Sequence, residues 1–376
     1  MESAVKGAMS YNKSEEAGQD LNGRTNSAVI SCSPLRSGLG TYSKLLYDLG
    51  FFESLVFFRK SSVSDETGYE NVIKPKPGLY SARAMLSAFG LSFWKKYIQK
   101  YGLAHLTSPE FFHLVRFNKN LTGTVHDLQP IDDRVSRSAY SYAFKRYMKK
   151  NYAAMDRMKG VVAISNVTAQ KIREKIPDVD PVVIHQWTDN RFTFRDRKAV
   201  RDQLGIDEKT RIILNVSSTE PRKNLEFLPR IIDNLPKDFT LLRIGQKSPL
   251  LERIESHRFV NIESVADAIY PLYFNAADVY LSPSLREGFG RPTIEAVNSS
   301  LPVVVSNIPI NREILRDQKF LADPDDLGDY VSGVQQMADM DEKERKTLYT
   351  SLGNYYREGR ARKEYADFYE KLGGVS

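Results

Sequence analysis

Short, uniformly apolar runs alternate along the chain with longer stretches whose apolar positions recur at helical spacing. SAVISCS, ESLVFF, LAHLTS, LTGTVHD, GVVAIS and PVVIHQW fall between residues 27 and 187, and a helix over about 41–49 follows the first of them. Runs this short and this evenly apolar read as strands covered on both faces. A charged interlude, TDNRFTFRDRKAVRDQLGIDEKT at 188–210, breaks the pattern. It restarts with RIILNVSS and continues through TLLRIGQ, a weaker FVNIES, DVYLSPS and PVVVSN. Strands alternating with crossover helices are the sequence form of a parallel α/β sheet, and two such series predict two Rossmann-like halves. Ligands in these sheets bind beyond the carboxyl ends of the strands, so the expected site is a cleft between the halves.

The predicted divisions are a flexible polar tail at 1–26, an N-terminal domain at 27–187, a C-terminal domain at 188–355 and a last helix at 356–376 that packs back on the N-terminal domain. The clearest amphipathic element is SAYSYAFKRYMKKNYAAM at 138–155. At 100° per residue it gathers Tyr140, Phe144, Tyr147, Met148 and Met155 on one face and Lys145, Arg146, Lys149 and Lys150 on the other. No acid occurs at 134–155. The expected arrangement is core packing by the apolar face, with the basic face meeting solvent, an anionic membrane surface or an anionic acceptor. LSFWKKYIQKY at 91–101 adds Lys95, Lys96 and Lys100 among aromatics.

Composition narrows the class. A chain of 376 residues exceeds what one core usually serves, and 41% apolar with 27% charged residues describes a globular protein. The single cysteine, Cys32, excludes an internal disulfide framework or a cysteine metal cluster and fits a reducing, cytoplasmic compartment. No apolar run approaches the roughly 18–20 residues that cross a bilayer, and the polar start lacks a secretory h-region, so a soluble, unexported protein is expected. The formal charge of +7 favours anionic partners. No H-E-x-x-H, EF-hand or Cys/His spacing occurs, so no protein-built metal site and no cofactor are expected.

The chemistry concentrates in YLSPSLREGFGRPTIEAVNSSLPVVVSN at 280–307. A strand runs into a loop holding Glu287, Gly288, Phe289 and Gly290, and Pro292 suits the first turn of the helix that follows. Glu287 is then in the loop and Glu295 in the first helical turn. Both would face a ligand near the helix N-terminus, where free N–H groups favour phosphate. Gly288 and Gly290 would let that ligand approach the backbone.

E-G-F-G-x-P-x-x-E resembles the E-x7-E signature of the family 4 retaining glycosyltransferases, which have the GT-B fold. The resemblance implies Glu287 on the donor sugar hydroxyls and Glu295 on the ribose hydroxyls of a GDP- or UDP-sugar, with Gly288, Phe289, Gly290 and Thr293 in the donor site. A carboxylate suits a vicinal diol, because it accepts two hydrogen bonds. ILNVSSTEPRKNLEFLPRII resembles the family's next landmark and implies that Arg222 and Lys223 meet the donor diphosphate. The chain departs from relatives at Ser217 and Ser218, where many carry G-R or G-T. SGLGTY at 37–42 resembles the family's glycine-rich loop, with Gly38 and Gly40 toward the phosphate or the acceptor. TVHDL at 124–128 resembles its H-D landmark and implies His126 beside the donor sugar. A second departure is HQWTD at 185–189, where relatives often have N-G-V-D; Trp187 replaces a small turn residue. His105 reads as core, and His113 and His257 as isolated.

The resemblance runs from about residue 27 to 330. It implies an N-terminal acceptor-side domain, a C-terminal nucleotide-sugar domain and a retaining transfer of a hexose to a glycan or lipid-linked acceptor. Substitution would occur at the front face, with Arg222 and Lys223 bearing the leaving group's charge. The expected location is the cytoplasm, with peripheral attachment to the inner face of a membrane. Rival readings are another GT-B enzyme, a nucleotide-sugar epimerase or a phosphorylase, and a basic nucleic-acid-binding protein. The last is disfavoured because no nucleic-acid-reading motif occurs.

Overall fold

A computed structural model describes residues 27–31, 37–57, 95, 98–131, 139–316 and 321–373. The tail at 1–26, Cys32 and Lys96 lie outside the described residues. The first sheet comprises β1 (Ser27–Ser31), β2 (Ser54–Phe57), β3 (Leu103–Leu106), β4 (Leu121–Val125), β5 (Gly160–Ala163) and β6 (Val182–Val183), in the order β2-β1-β3-β4-β5-β6. The second comprises β7 (Arg211–Val216), β8 (Phe239–Ile244), β9 (Phe259–Ile262), β10 (Val279–Ser282), β11 (Val303–Ser306) and β12 (Leu321–Ala322), in the order β12-β11-β10-β7-β8-β9. Every pairing described between these strands is parallel. The α/β fold with two Rossmann-like halves expected from the apolar runs is therefore present, and each run holds a strand. FVNIES reads weakly because β9 is an edge strand with half-exposed side chains. β12 was not anticipated, since two residues carry no period.

Successive side chains of β1 serve opposite faces of the first sheet, as the pleat requires. Ala28 and Ile30 join a core with Leu106, Phe112, Val125 and Met148. Val29 joins another with Tyr42, Leu46 and Trp187. The last helix, Glu358–Lys371, completes this second core with Ala361, Tyr365, Phe368 and Tyr369, a spacing of four, three and one that lines a single helical face. The Tyr42 hydroxyl bonds Thr124 Oγ1 at 2.9 Å and also meets the Tyr365 hydroxyl. His105 is a core residue: Nε2 bonds Thr124 Oγ1 at 2.7 Å, Nδ1 bonds the Tyr369 hydroxyl at 2.9 Å, and burial pushes its pKa down to about 3.

The chain leaves the first half at Thr188 and returns at Tyr356, and the two passages lie side by side. Thr188 N donates to Tyr356 O at 3.0 Å, and Asn298 Nδ2 donates to the same carbonyl at 3.2 Å. Trp187 is buried here against Tyr42 and Tyr365, so the bulky replacement in HQWTD fills the core beside the crossing.

The helix Ala139–Ala153 rests on the 3-10 segment Pro109–Arg116 through Met148, Tyr152 and the Tyr147 hydroxyl, which donates to Glu110 O at 2.6 Å. His113 is not isolated, as its sequence neighbours suggested. Its Nδ1 bonds Asn151 Oδ1 at 2.8 Å across 38 residues. Arg146, Lys149 and Lys150 are exposed and Lys145 is half-buried.

Candidate active site

Two loops at the carboxyl ends of β7 and β10 meet at the cleft. The first closes with the short turn Pro221–Lys223, ended by Asn224 in the left-handed region (φ 52°). The second carries 285–290 into the helix Arg291–Asn298. Leu285 N donates to Arg222 O at 2.8 Å and Arg222 Nη1 to Arg286 O at 3.1 Å, which fixes one loop on the other. Lys223 Nζ lies 2.6 Å from Glu287 Oε1, and Arg222 Nη1 lies 2.8 Å from Oε2. The three residues expected on donor sugar and diphosphate thus form one cluster. Burial pushes the Glu287 carboxyl up, but the Lys223 and Arg222 cations outweigh it and hold it below the usual carboxylate range, so Glu287 is an anion.

The glycines of this loop have separate causes. Gly290 has φ +84°, where a side chain would be strained. A Cβ on Gly288 would stand 3.0 Å from His126 O, so this glycine admits the other domain's chain as well as any ligand. Phe289 and Thr293 lie beneath the loop. The Phe289 ring packs on His185 and Tyr356, and Thr293 is buried beside Gly290. The helix begins at Arg291, before Pro292, so Glu295 is its fifth residue and sits past the first turn expected for it. Its carboxylate accepts from the Tyr270 hydroxyl at 2.9 Å and from Arg291 Nη2 at 3.1 Å.

The first domain faces this cluster with the end of β4. His126 meets Tyr42 edge-on at 4.6 Å, and Nδ1 pairs with Gln186 Nε2 at 3.2 Å. Desolvation pushes its pKa down to about 3, so the ring is neutral near pH 7. Gly38 and Gly40 begin the helix Gly38–Asp48, capped by Ser37 Oγ, which accepts from Gly40 N at 3.0 Å. Asp127, Gln129 and Lys171 line a hollow facing Arg222, Arg286 and Glu287.

Glu313 ties the domains together. Its Oε1 accepts from Asn166 N and His185 Nε2, each at 2.6 Å, and its Oε2 from Val167 N at 2.9 Å. Asn166 and Val167 open the helix Asn166–Lys175, whose next free N–H, on Thr168, is taken by Ser165 Oγ. Sequence reading missed Gln186, Tyr270 and Glu313, whose partners are 25 or more residues away. Arg291 stands at the unspecified position of the signature E-G-F-G-x-P, which assigns it no role. No group of three His, Cys, Asp or Glu suited to a metal ion occurs among the described residues.

Residues 196–351 match the family model described as glycosyl transferases group 1. The O-antigen chain mannosyltransferase RfbU of Salmonella typhimurium is 23% identical over 237 residues, covering 60% of this chain and 63% of that protein. The chain spans under two thirds of the length of the first curated relatives it matches. Among solved structures, Anabaena HepE in complex with UDP and glucose superposes with a TM-score of 0.76 at 14% identity, covering 92% of this chain and all of that one. WaaG, a glycosyltransferase involved in lipopolysaccharide biosynthesis, gives 0.68 at 15%, covering 91% and 99%. At these identities the structures show a shared fold.

Proposed function

We propose that the protein, whose residues 196–351 match the model of the glycosyl transferases of group 1 in a chain of GT-B fold, transfers a hexose, with retention, from a nucleotide-diphosphate sugar to a glycan or lipid-linked acceptor. The observation that carries the reading is the half-buried Lys223–Glu287–Arg222 cluster at the meeting of the two loops. The similarity to O-antigen mannosyltransferases favours mannose from GDP-mannose. The bond from the sugar's anomeric carbon to the diphosphate oxygen breaks, and the acceptor oxygen bonds the same face. The acceptor proton passes to the departing diphosphate. Arg222 and Lys223 stabilise the charge that grows on that leaving group, and fixed donors of this kind need no reorganisation at the moment of reaction. Glu287, kept ionised, accepts hydrogen bonds from the sugar hydroxyls, Glu295 from the ribose diol, and His126 flanks the sugar as a neutral ring. Phe289 and Thr293 support the loop from below, while Gly288 and Gly290 leave its backbone open to the donor and Gly38 and Gly40 face it from the first domain.

A thermal-shift panel of GDP-mannose, UDP-glucose and UDP-N-acetylglucosamine tests the donor assignment. The true donor at 100 times its dissociation constant adds about 2.7 kcal/mol of stability. A flat response to all three overturns it. Glu295→Ala is expected to weaken binding of the free nucleoside diphosphate, and Glu287→Ala to impair turnover while sparing that binding. Equal losses of nucleotide affinity contradict the division of roles.

The basic face of the helix Ala139–Ala153 supports peripheral docking on an anionic membrane. Lys145, Arg146, Lys149 and Lys150 would each contribute about 1 kcal/mol near such a surface, an attraction weakened by salt. Replacing all four by serine should abolish sedimentation with anionic vesicles while sparing donor hydrolysis in solution. Unchanged vesicle binding returns the face to a solvated one.

A further inference from the structure

Glu295 is held from two sides. Its side chain is 5% exposed, and each oxygen has a donor: Tyr270 on Oε2 and Arg291 on Oε1. A carboxylate offers about four acceptor positions, so two remain. Tyr270 is itself firmly seated. It opens the helix Tyr270–Ala276, its ring meets Phe192 edge-on at 5.8 Å and Phe274 at 5.3 Å, and its hydroxyl points at Glu295 across 25 residues. Burial, reinforced by the Glu295 charge, raises its pKa well above the ordinary value, which leaves a neutral O–H that only donates to the carboxylate. Arg291 reaches forward along its own helix to Glu295, four residues on. Glu295 lies past the first turn of that helix, so backbone position alone does not aim its three side-chain torsions.

We propose that Tyr270 and Arg291 are positioning residues that lock the Glu295 carboxylate with its two unoccupied acceptor positions turned to the ribose 2′- and 3′-hydroxyls of the donor. This rests on the assignment of Glu295 to the ribose. Hydroxyl recognition is strict when the receiving group cannot swing to a new partner, and a buried carboxylate held by two donors is in that state.

The test is calorimetric binding of GDP and UDP, taking the tighter of the two, and of its 2′-deoxy form. The wild-type protein is expected to prefer the ribonucleotide by about 10-fold or more, as for one hydrogen bond to a charged group. Tyr270→Phe keeps the ring packing and removes only the hydroxyl. It should reduce the preference to below about 3-fold while leaving affinity for the 2′-deoxy nucleotide within about twofold, and Arg291→Met should reduce the preference likewise. Adding Tyr270→Phe to Glu295→Gln should change the preference no further. A wild-type preference retained in Tyr270→Phe, or equal losses for both nucleotides, overturns the positioning role. No preference in the wild-type protein overturns the ribose assignment itself, and the positioning role with it.

Discussion

Lys223→Ala and Arg222→Ala each yield a folded protein whose turnover falls by about 10²–10³, the loss of roughly 2.7–4 kcal/mol of transition-state stabilisation that follows removal of one preorganised donor. Folding survives because Glu287 keeps one cation in either variant: Arg222 at 2.8 Å when Lys223 is gone, Lys223 at 2.6 Å when Arg222 is gone. The loops also stay joined through main-chain contact, Leu285 N to Arg222 O at 2.8 Å, which neither change removes. Ser217 and Ser218 supply no charge at the mouth of β7, so under the proposed mechanism more of the leaving diphosphate's charge falls to the two cations of the turn. Steady-state turnover with the donor found by thermal shift is the measurement. Wild-type rates in both variants would remove the diphosphate from this turn.

The second large effect is on stability and falls on the half of the molecule that is made first. Tyr365→Ala should cost about 3–5 kcal/mol, the range for deleting a large buried ring. Tyr365 is fully buried, and it packs on Trp187 at 5.8 Å and on Tyr369 at 5.8 Å. Removing residues 358–376, which spares Tyr356 in the core of the second half, goes further, because it uncovers Val29, Leu103 and Val162 on a face of the first sheet that a parallel sheet keeps covered. Limited proteolysis of the shortened chain should then degrade residues 27–187 while sparing 196–351. A first domain that unfolds cooperatively at its normal temperature without that helix would refute this.

The sheets were legible because both faces of each are covered, so their strands are apolar along their length and need no alternation to be recognised. The acidic signature was legible for a different reason: Gly290 and Pro292 answer to backbone geometry, and geometry of that kind is written locally. Contacts between distant segments were not. Phe289 reads as part of a binding loop but packs on His185 and Tyr356, and nothing near it in the chain signals those partners. His113 finds Asn151, and Glu295 finds Tyr270, only once the helices are stacked. Pro292 does lie in the first turn of the helix Arg291–Asn298, but at its second position, which puts Glu295 past that turn; Pro tolerates either of the first positions, so it marks the turn without fixing the register.

Glu313 completes the cap of a helix that belongs to the other domain. Its consequence lies in recombination between chains of this fold. A hybrid that joined this first domain to a foreign second domain lacking a carboxylate at that place would leave the opening amides of Asn166–Lys175 bare and His185 Nε2 without its acceptor, although each half kept an intact core. Which halves can be exchanged is then tested at the seam, this side chain included, before either hydrophobic interior is.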